Sequence, residues 1–210
     1  MSHLANILRP TSLDTFIGQS HIIYPSKALY KLIQQKDIPH LFFYGKPGTG
    51  KTTLAKIIAK EVGMDYHYFN ATSIKVEELR ALFKRYVNSL IKPLIFIDEV
   101  HRLSKNQQEI LLPVMENYNI IVIGASTENP FYTLTNAIRS RAFLYEFHAL
   151  NKEELELILD QARKEVIFTI EKEAKEFLIN SSCGDARALL NLLDFALKIK
   201  KISQKSFFKN

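Results

Sequence analysis

The stretch that most limits what this chain can fold into is Gly45-Lys46-Pro47-Gly48-Thr49-Gly50-Lys51-Thr52, which satisfies G-x-x-x-x-G-K-[ST] at every fixed position. Such a loop needs a strand before it and a helix behind it. His40-Leu41-Phe42-Phe43-Tyr44 is an apolar run of strand length, and Thr52 to Val62 carries Leu54, Ile57, Ile58 and Val62 on one helical face. The glycines let successive backbone N–H groups turn inward on a polyphosphate at a helix N-terminus, where the macrodipole favours negative charge. The loop, with Thr53 in its following turn, is therefore expected to bind a nucleoside triphosphate. Lys51 would reach the β- and γ-phosphates, and the Thr52 hydroxyl would ligate Mg²⁺.

From residue 40 onward, strand and helix patterns alternate. Candidate strands are His40 to Tyr44, Tyr66 to Asn70, Leu94 to Asp98, Ile120 to Gly124 and Phe143 to Phe147. Helical stretches fall at Thr52 to Val62, Val76 to Ser89 and Lys105 to Glu116, with a broken one around Leu134 to Ser140. Strands apolar throughout and spaced by helices imply an α/β fold, a five-stranded parallel sheet covered on both faces. Residues 1–39, punctuated by Pro10, Pro25 and Pro39, read as an extended arm followed by one helix from Ser26 to Gln35. After Leu150 the strand signals stop. Asn151 caps a helix with Glu153 and Glu154 in its first turn, and Ile170 to Asn180 and Asp185 to Lys200 read as two more. The expected organisation is an arm and helix over 1–39, an α/β core over 40–149, and a small all-helical lid over 150–210.

Composition narrows the class. No apolar run approaches the roughly 20 residues of a membrane span, and the first residues show no signal-peptide core; a soluble, cytoplasmic protein with no membrane partner is expected. Cys183 alone permits neither an internal disulfide nor a cysteine-rich metal site, and on a helical stretch it reads as a small buried apolar residue. The histidines His3, His21, His40, His67, His101 and His148 lack metal-ligand spacing. The formal charge of +6 suits a polyanion, yet only the end is one-sided: Lys198, Lys200, Lys201, Lys205 and Lys209 meet no acid after Asp194. Such a tail serves either as a solvated face or as a nucleic-acid contact. Tyr66, Tyr68 and Phe69 in a strand read as core residues rather than a base-stacking surface.

The chemistry gathers at strand ends, where parallel sheets bind their ligands. Leu94-Ile95-Phe96-Ile97 leads into Asp98 and Glu99. Asp98 would hold Mg²⁺, and Glu99 would orient and deprotonate the attacking water. In Ala125-Ser126-Thr127-Glu128-Asn129-Pro130, Thr127 or Asn129 could hydrogen-bond the γ-phosphate or the lytic water. Arg139 and Arg141 precede the last strand, where an arginine can complete a neighbouring subunit's site. Gly184-Asp185-Ala186-Arg187 opens the last helix. Arg187 in its first turn invites an anion, or pairs with Asp185 or Glu176.

The order of phosphate loop, Asp98-Glu99, Thr127, Ser140-Arg141 and Gly184-Asp185-Ala186-Arg187 resembles an AAA+ ATPase. Within that superfamily the chain is similar to the replication-associated recombination protein A family, which includes the eukaryotic Werner-helicase-interacting ATPase. The block Asp98-Glu99-Val100-His101-Arg102-Leu103-Ser104-Lys105-Asn106-Gln107-Gln108-Glu109-Ile110-Leu111-Leu112-Pro113 and the run Ile123 to Pro130 carry the likeness, which spans residues 4 to about 200. It implies that Arg9, Pro10 and Phe16-Ile17-Gly18-Gln19 line an adenine pocket. It further implies that Asp98 and Glu99 are the Walker B acids, Thr127 the first sensor, Arg141 the arginine finger and Arg187 the second sensor. The activity implied is hydrolysis of ATP with Mg²⁺, acting on single-stranded, gapped or fork DNA at stalled forks. The implied partners are single-strand-binding protein and further copies of the chain. Clamp-loader subunits share the general plan but lack this wording; a clamp-loader or branch-migration motor subunit is the second enzymatic reading, and a nucleotide-gated scaffold without useful hydrolysis is the non-enzymatic alternative. Two positions depart from the family pattern. Lys46 stands where proline is usual, and Asn117-Tyr118-Asn119 replaces a glycine-bearing turn. Family members continue for about as many residues again into an oligomerisation domain; if Arg141 acts in trans, a monomer of this chain is expected to turn over ATP weakly.

Overall fold

The computed structural model describes residues 3–87, 89, 91–117 and 120–207. Five strands, β1 (His40–Gly45), β2 (Asp65–Asn70), β3 (Pro93–Asp98), β4 (Ile121–Ser126) and β5 (Ala142–Phe147), form one sheet in the order β2-β3-β4-β1-β5. Every pairing is parallel. All five expected strands are present, each within two residues of its expected ends.

Nine helices are found among the described residues: α1 (His3–Ile7), α2 (Ala28–Gln34), α3 (Lys51–Val62), α4 (Val76–Tyr86), α5 (Lys105–Glu116), α6 (Asn136–Arg139), α7 (Lys152–Glu165), α8 (Lys172–Ser182) and α9 (Ala186–Phe207). The strands alternate their burial between two cores. Leu94 and Phe96 pack with Leu41, Phe43, Leu54 and Ile58 under α2 and α3. Ile95 and Ile97 face the other way, joining Phe42, Val122, Leu79 and Leu111 under α4 and α5. Both faces are therefore covered, as a parallel sheet requires.

Local signals set the helix ends. Gly50 and Gly63 are both left-handed and bracket α3. Ser104 and Gln107 form a reciprocal capping box at α5, and Asn151 and Glu154 form another at α7, where Asn151 Oδ1 accepts the Glu154 N–H at 2.8 Å. A third core, with Leu155, Leu159, Leu178, Ile179, Leu189 and Leu193, holds α7, α8 and α9 together as the lid.

Two expectations need correction. The arm is not simply extended, because α1 stands at its start and buries Leu4 in the lid's core rather than against the sheet. Cys183 is exposed, not buried: α8 ends at Ser182, and the left-handed cap at Cys183 (φ 51°) turns its side chain outward. Of the basic run, Lys198 pairs with Asp194 at 2.8 Å, while Lys209 and the side chains of Lys200, Lys201 and Lys205 lie outside the described residues. Tyr118 and Asn119 also lie outside them, as does Asn88 in the expected helix from Val76 to Ser89.

Candidate nucleotide site

The loop between β1 and α3 is shaped by backbone that only glycine adopts readily. Gly45, Gly48 and Gly50 have φ of 133°, 66° and 102°. Lys51 is the first residue of α3 and only 9% exposed. Its Nζ folds back to donate to the carbonyls of Gly45 and Lys46, both at 2.7 Å, and the buried Thr49 closes the turn with Oγ1 donating to Lys46 O at 2.9 Å. One cavity is lined by loop residues Pro47, Gly48, Thr49, Gly50, Lys51, Thr52 and Thr53, by arm residues Arg9, Pro10 and Ile17, and by Asp98, Glu99, Thr127 and Arg187. Gly45 and Lys46 instead line a neighbouring recess with Glu146 and His148. Gly18 borders neither: its φ of 91° and the Leu150 side chain packed against it leave no room for a larger residue. The departure at Lys46 thus puts its side chain beside that recess rather than within the cavity.

Burial lowers Lys51 to about 8, against the opposing pull of Asp98, Glu99 and Asp185. A polyphosphate beside the ammonium would favour its charged form, so a nucleotide bound there would select the protonated lysine. Affinity is expected to be level below pH 8 and to fall above it, by up to about tenfold per pH unit. Nucleotide titrations from pH 7 to 10 check this; a flat profile would contradict it. The sign for folding is opposite. The unfolded chain binds the extra proton between this value and 10.5, so the lysine's contribution to stability rises with pH across that window.

The acids end β3. Asp98 Oδ1 accepts the Glu99 N–H at 3.1 Å, and its Oδ2 accepts the Tyr68 hydroxyl at 3.1 Å. Glu99 is held in the left-handed region (φ 54°, ψ 41°), a backbone strain that non-glycine residues adopt when their surroundings impose it. Its carboxylate lies 3.4 Å from Nε2 of the buried His101. His101 Nδ1 meets Ser126 Oγ at 2.9 Å, and Ser126 Oγ also accepts the Glu128 N–H at 3.0 Å. The ends of β3 and β4 are thereby joined. In the sequence only its place directly after the acids marks His101, and the polar residues that stand out beyond β4 are Thr127 and Asn129 rather than Ser126. Tyr68 was read as core but is half exposed; β2 is the sheet's edge, and this tyrosine braces Asp98.

The arginines divide. Arg187 faces the cavity and makes no ion pair with Asp185 or Glu176. Arg141 does not line its own chain's cavity. It pairs with Glu116 at the end of α5 and donates to Ala137 O at 2.6 Å. Arg139 stacks over Phe131 at 3.9 Å and donates to Phe131 O at 2.7 Å, a local structural use. Asn129 likewise turns to its own loop, accepting the Phe131 N–H at 2.9 Å. The lid meets the loop directly: the Ala186 N–H donates to Gly48 O at 3.2 Å, and the Asp185 carboxylate fills the space a Cβ at Gly48 would need.

The donor set suits a magnesium–nucleotide complex on these observations: a glycine-shaped cradle, a buried lysine, a hydroxyl at Thr52, and an aspartate whose carboxylate is already oriented by a tyrosine. Among the described residues no group of histidine, cysteine and acid residues could hold a metal by itself. No described helix is long and apolar enough to cross a membrane.

Comparison with known proteins agrees with this geometry. Residues 8–136 match the family model described as the Holliday junction DNA helicase RuvB P-loop domain. The replication-associated recombination protein A of Haemophilus influenzae is 40% identical over 202 residues, covering 91% of this chain and 45% of that protein. The ATPase WRNIP1 of Dictyostelium discoideum is 35% identical over 96% of this chain and 24% of its own length. The chain thus spans less than half the length of either relative. Among solved structures, the Thermotoga maritima RuvB Holliday junction branch migration motor superposes with a TM-score of 0.81 at 30% identity, over 94% of this chain and 67% of that one.

Proposed function

Because this chain belongs to the AAA+ P-loop ATPase family of the RuvB and replication-associated recombination protein A type, we propose that it hydrolyses ATP to ADP and phosphate as a motor acting on DNA at stalled or gapped replication forks. The observation that carries the reading is the cavity onto which loop residues Pro47 to Thr53, Asp98, Glu99, Thr127 and Arg187 converge. The loop amides and Lys51 bind the phosphates, and the arm residues Arg9, Pro10 and Ile17 receive the base. Thr52 and Asp98 would hold Mg²⁺, which would supply positive charge to neutralise the phosphates. Glu99 takes the proton of the attacking water, and Thr127 orients that water or the γ-phosphate. Arg187, from the lid, meets phosphate charge. Arg141 acts on the site of a neighbouring copy, a role that fits its absence from its own cavity.

The protein works on this reading in the cytoplasm, as a homo-oligomer, on DNA coated by single-strand-binding protein. The RuvB family match favours a second reading, branch migration at four-way junctions. Phosphate release measured side by side with single-stranded, gapped, duplex and four-way junction DNA separates them. Severalfold stimulation by single-stranded or gapped DNA over duplex is expected. Stimulation by the junction alone would move the assignment to branch migration, and no stimulation by any DNA would remove the DNA-acting role.

A further inference from the structure

Gln19 is 3% exposed and sits in the left-handed region at φ 57°, an unusual backbone for glutamine. Its Nε2 donates to Thr49 O in the phosphate loop at 3.3 Å and to His148 O at 2.8 Å. Its Oε1 accepts the His148 N–H at 2.9 Å. One buried amide therefore grips both sides of the residue at which the core gives way to the lid, and a loop carbonyl as well. His21 adds a second hold on the same segment, stacking on His148 with centroids 4.1 Å apart.

The connection continues through the lid and returns to the loop. The Leu150 N–H donates to Gly184 O at 3.0 Å. Gly184, at φ 83°, is pressed against Ala149 and Leu150 too closely for any Cβ. Two residues on, the Ala186 N–H donates to Gly48 O at 3.2 Å. Thr49, Gln19, His148, Leu150, Gly184, Ala186 and Gly48 thus form a closed ring. A displacement of the loop on taking up a polyphosphate reaches the lid elbow from two sides, and Gln19 is the only side chain among these hydrogen-bonded links.

We propose that Gln19 is a positioning residue that forces the lid elbow to follow the phosphate loop, so that nucleotide occupancy is transmitted to the lid through this one amide. The inference rests on the nucleotide-site reading above. It assigns the motif's glutamine to core–lid coupling rather than to contact with the base. Buried donors and acceptors bind tightly to one geometry because leaving them unpaired is costly. The alternative, a glutamine that merely fills space, needs neither the left-handed backbone nor three partners.

Cys183 gives a native reporter, being the chain's one cysteine, exposed, and adjacent to Gly184. Its reaction rate with a colorimetric disulfide reagent is measured with and without saturating Mg-ATP, alongside fluorescent ATP binding, in wild type, Gln19→Met and Gln19→Glu. The first variant keeps volume and loses every hydrogen bond. The second keeps the acceptor for His148 and loses the donor. In wild type, nucleotide is expected to change the Cys183 rate severalfold. In both variants that change disappears, and the half-saturating ATP concentration rises about tenfold, as for loss of the one bond among them that reaches the phosphate loop, from Nε2 to Thr49 O. Amide exchange at Leu150 and Ala186 of the wild type is a second readout that needs no variant. Both amides should gain protection together when Mg-ATP binds. Failure of the wild-type chain to bind ATP would overturn the nucleotide-site reading. ATP binding with an unresponsive Cys183, an equal response in wild type and variants, or protection at Ala186 alone would overturn the inference and leave that reading standing.

Discussion

Glu99→Gln is expected to bind ATP as wild type does and to lose turnover by about 10²- to 10⁴-fold, the range that a positioned general base supplies. The substitution is nearly isosteric. The strained backbone at Glu99, its contact with His101 and the Asp98 oxygen accepting its N–H place no demand on the second carboxylate oxygen that an amide fails to meet. What the amide cannot do is accept the proton of water. Single-turnover phosphate release at saturating Mg-ATP, with binding measured in parallel, isolates that step. Unchanged turnover would remove the role from Glu99. Wild-type binding with no turnover in any assembly state would instead revive the scaffold reading.

Arg141→Ala is expected to lower the turnover of assembled protein by roughly 10³- to 10⁵-fold and to leave the basal rate of dilute protein nearly unchanged, as for an arginine that neutralises transition-state charge from a neighbour. Loss of fold is a poor competing explanation. The pair with Glu116 has side chains 30% and 51% exposed, and such pairs contribute about 0–1 kcal/mol after screening. Glu116→Gln therefore serves as a control: it breaks the same pair, leaves the guanidinium in place, and is expected to keep turnover at or above the wild-type rate. Equal losses in both variants, tracking a lower melting temperature, would reassign Arg141 to a structural role.

The sheet was legible because its central strands are apolar throughout, and such runs beside a phosphate loop have few other uses. Asn151 marks a helix start in the sequence through capping chemistry that is local, and the structure shows the same kind of local chemistry at Gly50, Gly63 and Ser104. Features that depend on distant contacts were not legible. Helix α1 is only five residues long, too short for a periodic signal, and its Leu4 is buried by the lid at the other end of the chain. Tyr68 looked like core until the strand order put β2 at the edge. Cys183 followed a helical pattern, and the left-handed cap that exposes it is a property of one residue. Gln19 reaches a partner 129 positions away, which no local pattern reveals. The same holds for the link from Glu99 through His101 to Ser126, where each residue is ordinary by itself and the meeting of two strand ends creates the network.

The central claim is that this chain carries most of an ATP-hydrolysing site and takes the remaining arginine from another copy. Mixing two variants tests it most directly. Lys51→Ala lacks a working phosphate loop and retains Arg141, whereas Arg141→Ala retains the loop and lacks the arginine. Each alone is expected to show little phosphate release under conditions where wild type is active. Their mixture should recover turnover, because an intact loop from one then faces an intact arginine from the other. Robust wild-type turnover beside a mixture that never exceeds the sum of its parts would contradict the account.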